Sequence, residues 1–160
     1  MLWDMYGNLK NYQDCSGKQT HYAYDAYGRV IEVKDAMGQI THLKYHAHQQ
    51  QPCEITYPDQ SQEYFKYDAL ESLVEYRDAL GRATSYEYSA DDLPIQRKDS
   101  ANGVVRYQYD ALRRFVGLIN ENGQTWQIEY DANDQVIAKT TFDGIRNIIM
   151  RKKPPSLKIN

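Results

Sequence analysis

Apolar and polar positions along this chain alternate in short runs and never settle into a helical period. Runs of about six residues, such as Arg29-Val30-Ile31-Glu32-Val33-Lys34, are rich in β-branched and aromatic residues. No apolar stripe at helical spacing persists for three turns, and Gly, Pro and Asp recur too often for long helices. The pattern predicts an all-β chain of short strands.

Two kinds of turn separate the runs. The first is Asp25-Ala26-Tyr27-Gly28, echoed by Asp4-Met5-Tyr6-Gly7. The second is Asp35-Ala36-Met37-Gly38, echoed by Asp14-Cys15-Ser16-Gly17 and Asp78-Ala79-Leu80-Gly81. Asp at the first position and Gly at the fourth mark a type I turn. The Asp carboxylate bonds amides further along the turn. Gly supplies the positive φ that closes a bulged hairpin.

The turns recur in phase. The aromatic before the first turn is Trp3, Tyr24, Tyr45, Tyr67, Tyr88, Tyr109 and Tyr130, in steps of 21, 21, 22, 21, 21 and 21 residues. Fourteen residues after each stands a second marker: Gly17, Gly38, Asp59, Gly81, Asn102, Gly123 and Gly144, with Gly103 beside Asn102. Two strands and two turns fill about 20 residues. Each repeat is therefore one hairpin, and seven repeats predict a repetitive antiparallel meander of about 14 strands over residues 1–146. The stretch 147–160 breaks the pattern and reads as a divergent, disordered tail.

Alternation assigns a face. Tyr22 and Tyr24 point one way, as do Leu43 and Tyr45, Phe65 and Tyr67, Tyr86 and Tyr88, Tyr107 and Tyr109, Ile128 and Tyr130. Stacked over neighbouring strands they form aromatic and aliphatic ladders. A second apolar position follows seven residues later, at Ile31, Val74, Ile95, Val116 and Ile137, and belongs on the return strand.

The motif at Tyr24-Asp25-Ala26-Tyr27-Gly28-Arg29, weaker at Tyr67-Asp68-Ala69-Leu70 and Tyr109-Asp110-Ala111-Leu112, resembles the YD repeat of Rhs proteins. Related repeats occur in the C component of bacterial Tc toxins and in teneurins. The resemblance covers roughly residues 3 to 146. It implies a continuous β-strip that spirals into a hollow shell, which in bacterial members encloses a C-terminal toxin. It also implies a secreted or cell-surface parent. The repeat-defining residues that follow are Trp3, Asp4, Gly7, Gly17, Tyr22, Tyr24, Asp25, Gly28, Arg29, Gly38, Tyr45, Tyr67, Asp68, Gly81, Tyr86, Tyr88, Tyr107, Tyr109, Asp110, Gly123, Tyr130, Asp131 and Gly144.

Several repeats are eroded. His46-Ala47-His48-Gln49 and Ser89-Ala90-Asp91-Asp92 lack both the first Asp and the Gly. Asp68 to Glu71 and Asp110 to Arg113 keep Asp but lose Gly. A left-handed Glu or Arg costs about 1 kcal/mol, so these turns are expected to be remodelled. Seven repeats are too few for a closed shell, so the chain reads as an excised or truncated piece of a larger protein.

Composition adds limits. Of 160 residues, 15 are Tyr, which suits a half-wet surface better than a sealed core. The net charge of -3 gives no basic face for nucleic acid. No apolar run long enough for a membrane helix occurs, and MLWDMYGN lacks the form of a signal peptide. Cys15 and Cys53 read as free thiols.

Candidate chemistry is sparse. His42, His46 and His48 share a parity and could face a metal, but His46 stands where other repeats put the turn Asp, so the strand should end there. Asp25, Asp68, Asp110 and Asp131 recur at one turn position, which amide bonding explains without acid–base catalysis. No P-loop or nucleophile motif occurs. No cofactor, metal or catalytic residue is expected. The tyrosine ladder is first a packing surface, and as an alternative a platform for sugar rings. Arg151-Lys152-Lys153 is a basic run before Pro154-Pro155.

A single-layer meander exposes two edge strands, near Trp3 and near Gly144. The expected partners are further segments of an Rhs-type shell, or copies of this chain paired edge to edge, in a curved open sheet. The expected function is structural and non-enzymatic. The alternatives are a carbohydrate- or protein-binding module and a remnant without independent function.

Overall fold

The computed structural model describes residues 1–149. Their strands are β1 (Leu2–Trp3), β2 (Leu9–Gln13), β3 (Gln19–Tyr24), β4 (Val30–Lys34) and β5 (Ile40–Lys44). Next come β6 (Glu54–Thr56), β7 (Gln62–Tyr67), β8 (Leu73–Arg77), β9 (Ala83–Tyr88) and β10 (Pro94–Lys98). The last are β11 (Val104–Tyr109), β12 (Phe115–Ile119), β13 (Thr125–Tyr130), β14 (Val136–Thr140) and β15 (Arg146–Ile148). The described residues form an all-β antiparallel meander whose fifteen strands lie in chain order. The count exceeds the expected fourteen because half a repeat, β15, follows the turn at Thr141–Gly144. Strand β15 also runs two residues past 146. From 150 onward the expected tail, with its basic run, lies outside the described residues.

The chain forms two compact units, Met1–Tyr86 and Glu87–Asn160. In the first, Tyr22 pairs with Val33, Leu43 with Ile55, and Phe65 with Tyr76, so the aromatic face takes one residue from each strand. The opposite face is polar. Glu32 pairs with Ala23 and His42, and Lys44 with Glu54 at 2.6 Å between charges. In the second unit, Tyr107 and Trp126 both pair with Leu118. The Phe115 ring stacks on Trp126 at 5.9 Å and meets the edge of Tyr109 at 5.9 Å.

On the first-turn edge the hairpins β3–β4, β7–β8, β11–β12 and β13–β14 carry a bulge, whereas β5–β6 pairs in continuous register. Tyr24 pairs with Val30 and Ala23 with Glu32, which leaves Ile31 as an extra residue. Tyr67, Tyr109 and Tyr130 leave Val74, Val116 and Ile137 extra in the same way. The second apolar position of the repeat is thus the bulged residue of the return strand. The bulge lets two successive apolar residues occupy a strand that otherwise alternates.

Burial is shallow, as expected where no second layer packs on the sheet. Among the described residues the buried hydrophobic is Ala138, 1% exposed, and the tyrosines of the ladder are half-buried. Gly117 is buried too, and a Cβ there would lie 2.5 Å from the Trp126 carbonyl oxygen. Strand β12 therefore needs glycine where β13 approaches it.

Candidate functional site

The groups that recur are the turns, the tyrosines and two arginines. The turn at Asp25 gives the pattern. Gly28 N donates to Asp25 O (3.1 Å) and Asp25 N to Arg29 O (2.9 Å). Asp25 Oδ1 accepts from Tyr27 N (2.9 Å) and Arg29 N (3.0 Å). One carboxylate oxygen thereby satisfies two amides that the tight turn leaves unpaired. Asp4, Asp68, Asp110 and Asp131 repeat the arrangement on that edge. Asp14, Asp35, Asp78, Asp99 and Asn120 repeat it on the other. Gly7 and Gly28 close first turns, and Gly17, Gly38, Gly81, Gly123 and Gly144 close second turns, all at positive φ.

Three of the four eroded turns are not remodelled; the exception is His46–Gln49, where Gln49 does not take the left-handed position. Glu71 (φ 65°), Asp92 (φ 59°) and Arg113 (φ 64°) occupy the left-handed position and make the same backbone bonds, to Asp68 O, Ser89 O and Asp110 O. At Ser89 the hydroxyl replaces the missing carboxylate, accepting from Asp91 N (3.3 Å) and Leu93 N (3.2 Å). The paired strands on both sides fix the turn, and this outweighs about 1 kcal/mol of local strain. One marker also moves. Gln60 (φ 69°) rather than Asp59 closes the third second turn, because that repeat is one residue longer. Asn102 (φ 67°) rather than Gly103 closes the fifth.

The repeat tyrosine does more than pack. Its hydroxyl donates to a carbonyl fifteen residues back: Tyr24 to Leu9 (2.8 Å), Tyr45 to Val30 (2.7 Å), Tyr67 to Pro52 (3.4 Å), Tyr109 to Pro94 (2.9 Å) and Tyr130 to Phe115 (2.9 Å). Leu9, Val30, Pro94 and Phe115 each open a return strand. The registered β4–β5 pairs run from Glu32 and His42 to Lys34 and Ile40, so the Val30 carbonyl lies beyond that ladder. The next repeat's tyrosine caps it. Burial raises the Tyr24, Tyr45, Tyr67 and Tyr109 phenols above their ordinary value, so they remain donors at neutral pH. Tyr22, Tyr86 and Tyr107 lie two residues earlier on the same faces, Tyr88 ends β9, and Trp3 ends β1.

Arg29 and Arg114 extend the connection. Arg29 Nε donates to Asp25 Oδ2 (2.7 Å), and its guanidinium lies 4.6 Å from the Tyr45 ring centroid. Its Nη1 donates to His46 O (2.9 Å) and Gln49 O (2.6 Å), the two ends of the turn that has neither Asp nor Gly. Arg114 repeats this with Asp110 (2.7 Å), the Tyr130 ring (4.8 Å) and Asp134 Oδ1 (2.5 Å). Sequence reading named Arg29 as part of the motif but not its reach, and missed Arg114. The signal was present: Arg stands four residues after the turn Asp in both repeats.

One further cluster escaped the sequence. Glu63 lies on the aromatic face and accepts from Tyr57 Oη (3.0 Å) and Tyr76 Oη (2.8 Å). Its carboxylate pushes Tyr76 up to about 12. Of the histidines, His42 lies on β5 near Glu32 (3.8 Å), whereas His46 opens the turn that receives Gln49 N. No group of three His, Cys, Asp or Glu residues converges as a metal site among the described residues.

The RHS repeat family model matches residues 3–36 and 24–62. No curated protein matches the chain. The fold is similar to the crystal structure of TcdB2-TccC3, with TM-score 0.70 and 17% identity over 86% of this chain and 9% of that one. It is also similar to the Photorhabdus luminescens Tc holotoxin pore, with TM-score 0.66 and 20% identity over 76% of this chain and 7% of that one. The chain thus spans under a tenth of the length of these structures. The chain carries RHS repeats over residues 3–62, and the same turn and tyrosine bond recur in its structure as far as Tyr130.

Proposed function

We propose that this chain is a non-enzymatic wall segment of an Rhs-type shell that encloses a C-terminal toxin. The observation that carries the reading is the linkage of five repeats to their preceding neighbours by the tyrosine hydroxyl and, at two repeats, by arginine. Such linkage suits a wall, where every unit must hold its neighbour. The partners are then further lengths of the same repeat. Self-association through the exposed edges of β1 and β15 is the rival choice, and light scattering of the purified chain reads it.

A carbohydrate- or protein-binding role is less well supported. Five ladder hydroxyls are held by backbone carbonyls, so they are not free to orient a sugar. The test of the wall role is a chimera in which this segment replaces the matched stretch of TcdB2-TccC3. Assembly of the chimera supports the proposal. Failure to assemble, with the isolated segment folded, overturns it.

A further inference from the structure

The chain contains two Asn–Gly pairs, Asn102–Gly103 and Asn122–Gly123, and the structure treats them differently. We propose that Asn122–Gly123 is a site of spontaneous covalent modification, in which the Asn122 carboxamide becomes aspartate and isoaspartate, while Asn102–Gly103 is protected.

The chemistry needs only water. The Gly123 amide nitrogen loses its proton and attacks Asn122 Cγ. The bond from Cγ to the carboxamide nitrogen breaks, and ammonia leaves with a proton. Water then opens the five-membered imide at either carbonyl. Glycine favours the attack because it has no Cβ to obstruct the approach.

The two turns differ in what faces the attacking nitrogen. Gly103 N donates to the Asp99 carboxylate at 2.8 Å, and a Cβ on Gly103 would lie 2.7 Å from the other Asp99 oxygen. A negative charge at that distance opposes deprotonation of the amide. Gly123 N donates instead to the neutral Asn120 carbonyl at 2.9 Å. The head of that turn is Asn120, whose carboxamide accepts from Asn122 N (3.0 Å) and Gln124 N (2.9 Å) without bringing a charge. Glu121 is the carboxylate within the turn, and it is exposed, where water and salt screen it. Asn122 and Gly123 are exposed as well. The isoaspartate product lengthens the backbone inside a four-residue turn and so loosens the β12–β13 hairpin.

The test is peptide mass mapping of the whole chain during incubation at mildly alkaline pH, with isoaspartate read by enzymatic methyl transfer. Asn122 is expected to convert about tenfold faster than Asn102, which is ~1.4 kcal/mol in barrier. Asp99→Asn is expected to accelerate conversion at Asn102, and Asn120→Asp to slow it at Asn122. Both variants use a residue that already heads a turn in this chain. Equal or faster conversion at Asn102, no conversion at Asn122, or an unchanged ratio in both variants would overturn the proposal.

Discussion

The Arg29 guanidinium lies 4.6 Å from the centroid of the Tyr45 ring, so a residue of one turn rests on the aromatic that leads into the next. From there it reaches the carbonyls of His46 and Gln49. It supplies from outside the bonds that this turn cannot make for itself.

Arg29→Ala is expected to lower stability by about 1–3 kcal/mol, the cost of losing the charged hydrogen bonds to Asp25, His46 O and Gln49 O. Arg29→Lys should recover little of that, because an ammonium has no planar fork to serve Asp25 and both carbonyls together. Restoring the turn with His46→Asp and Gln49→Gly should shrink the cost of Arg29→Ala. Urea unfolding of the variants measures all three. An undiminished cost in the restored background would mean that Arg29 acts elsewhere.

The left-handed positions separate turn chemistry from packing. Glu71→Gly and Gln60→Gly relieve a positive φ and are expected to be neutral or stabilising by up to about 1 kcal/mol. Gly28→Val introduces the same strain (φ 78°) and should destabilise, while Gln39→Val on an exposed turn should be tolerated. Thermal midpoints read the contrast, and equal shifts for Gly28→Val and Gln39→Val would contradict the turn assignment.

Stability should fall at both pH extremes, for different reasons. Hydrogen bonds from Asn8 N to Asp4, Ser16 Oγ to Asp14 and the Arg114 guanidinium to Asp110 hold these carboxyls below their ordinary 3.8. Their contribution is present above pH 3.8 and is lost as pH falls through the lowered folded values. At Tyr76 the Glu63 hydrogen bond raises the phenol from 10.0 to about 12. That contribution is whole below pH 10.0 and drains between 10.0 and about 12. Thermal midpoints against pH should show both edges, and Glu63→Gln should flatten the alkaline one.

Much of this fold is legible in the residues. The Asp and Gly of each turn and the alternation around Tyr22 and Tyr24 are local signals, and the hairpin follows from them. What was not legible depends on distance along the chain. The Tyr45 hydroxyl meets a carbonyl fifteen residues earlier, and Arg29 meets one seventeen residues later. Neither bond leaves a mark in local composition. Glu71 and Arg113 mislead in the other direction: propensity disfavours a left-handed Glu or Arg, but flanking strands already in register impose the turn. The bulge at Ile31 was visible only as an apolar position whose geometry strand alternation does not reveal.

The central claim is that the repeat tyrosine ties one hairpin to the next through its hydroxyl. Tyr109 and Tyr107 lie on one strand and one face, and Tyr109 donates to Pro94 O at 2.9 Å. The measurement is the urea midpoint of Tyr109→Phe against Tyr107→Phe. The account predicts a loss of about 1 kcal/mol for Tyr109→Phe and little change for Tyr107→Phe. Equal effects in the two variants would contradict it and leave the ladder as packing alone.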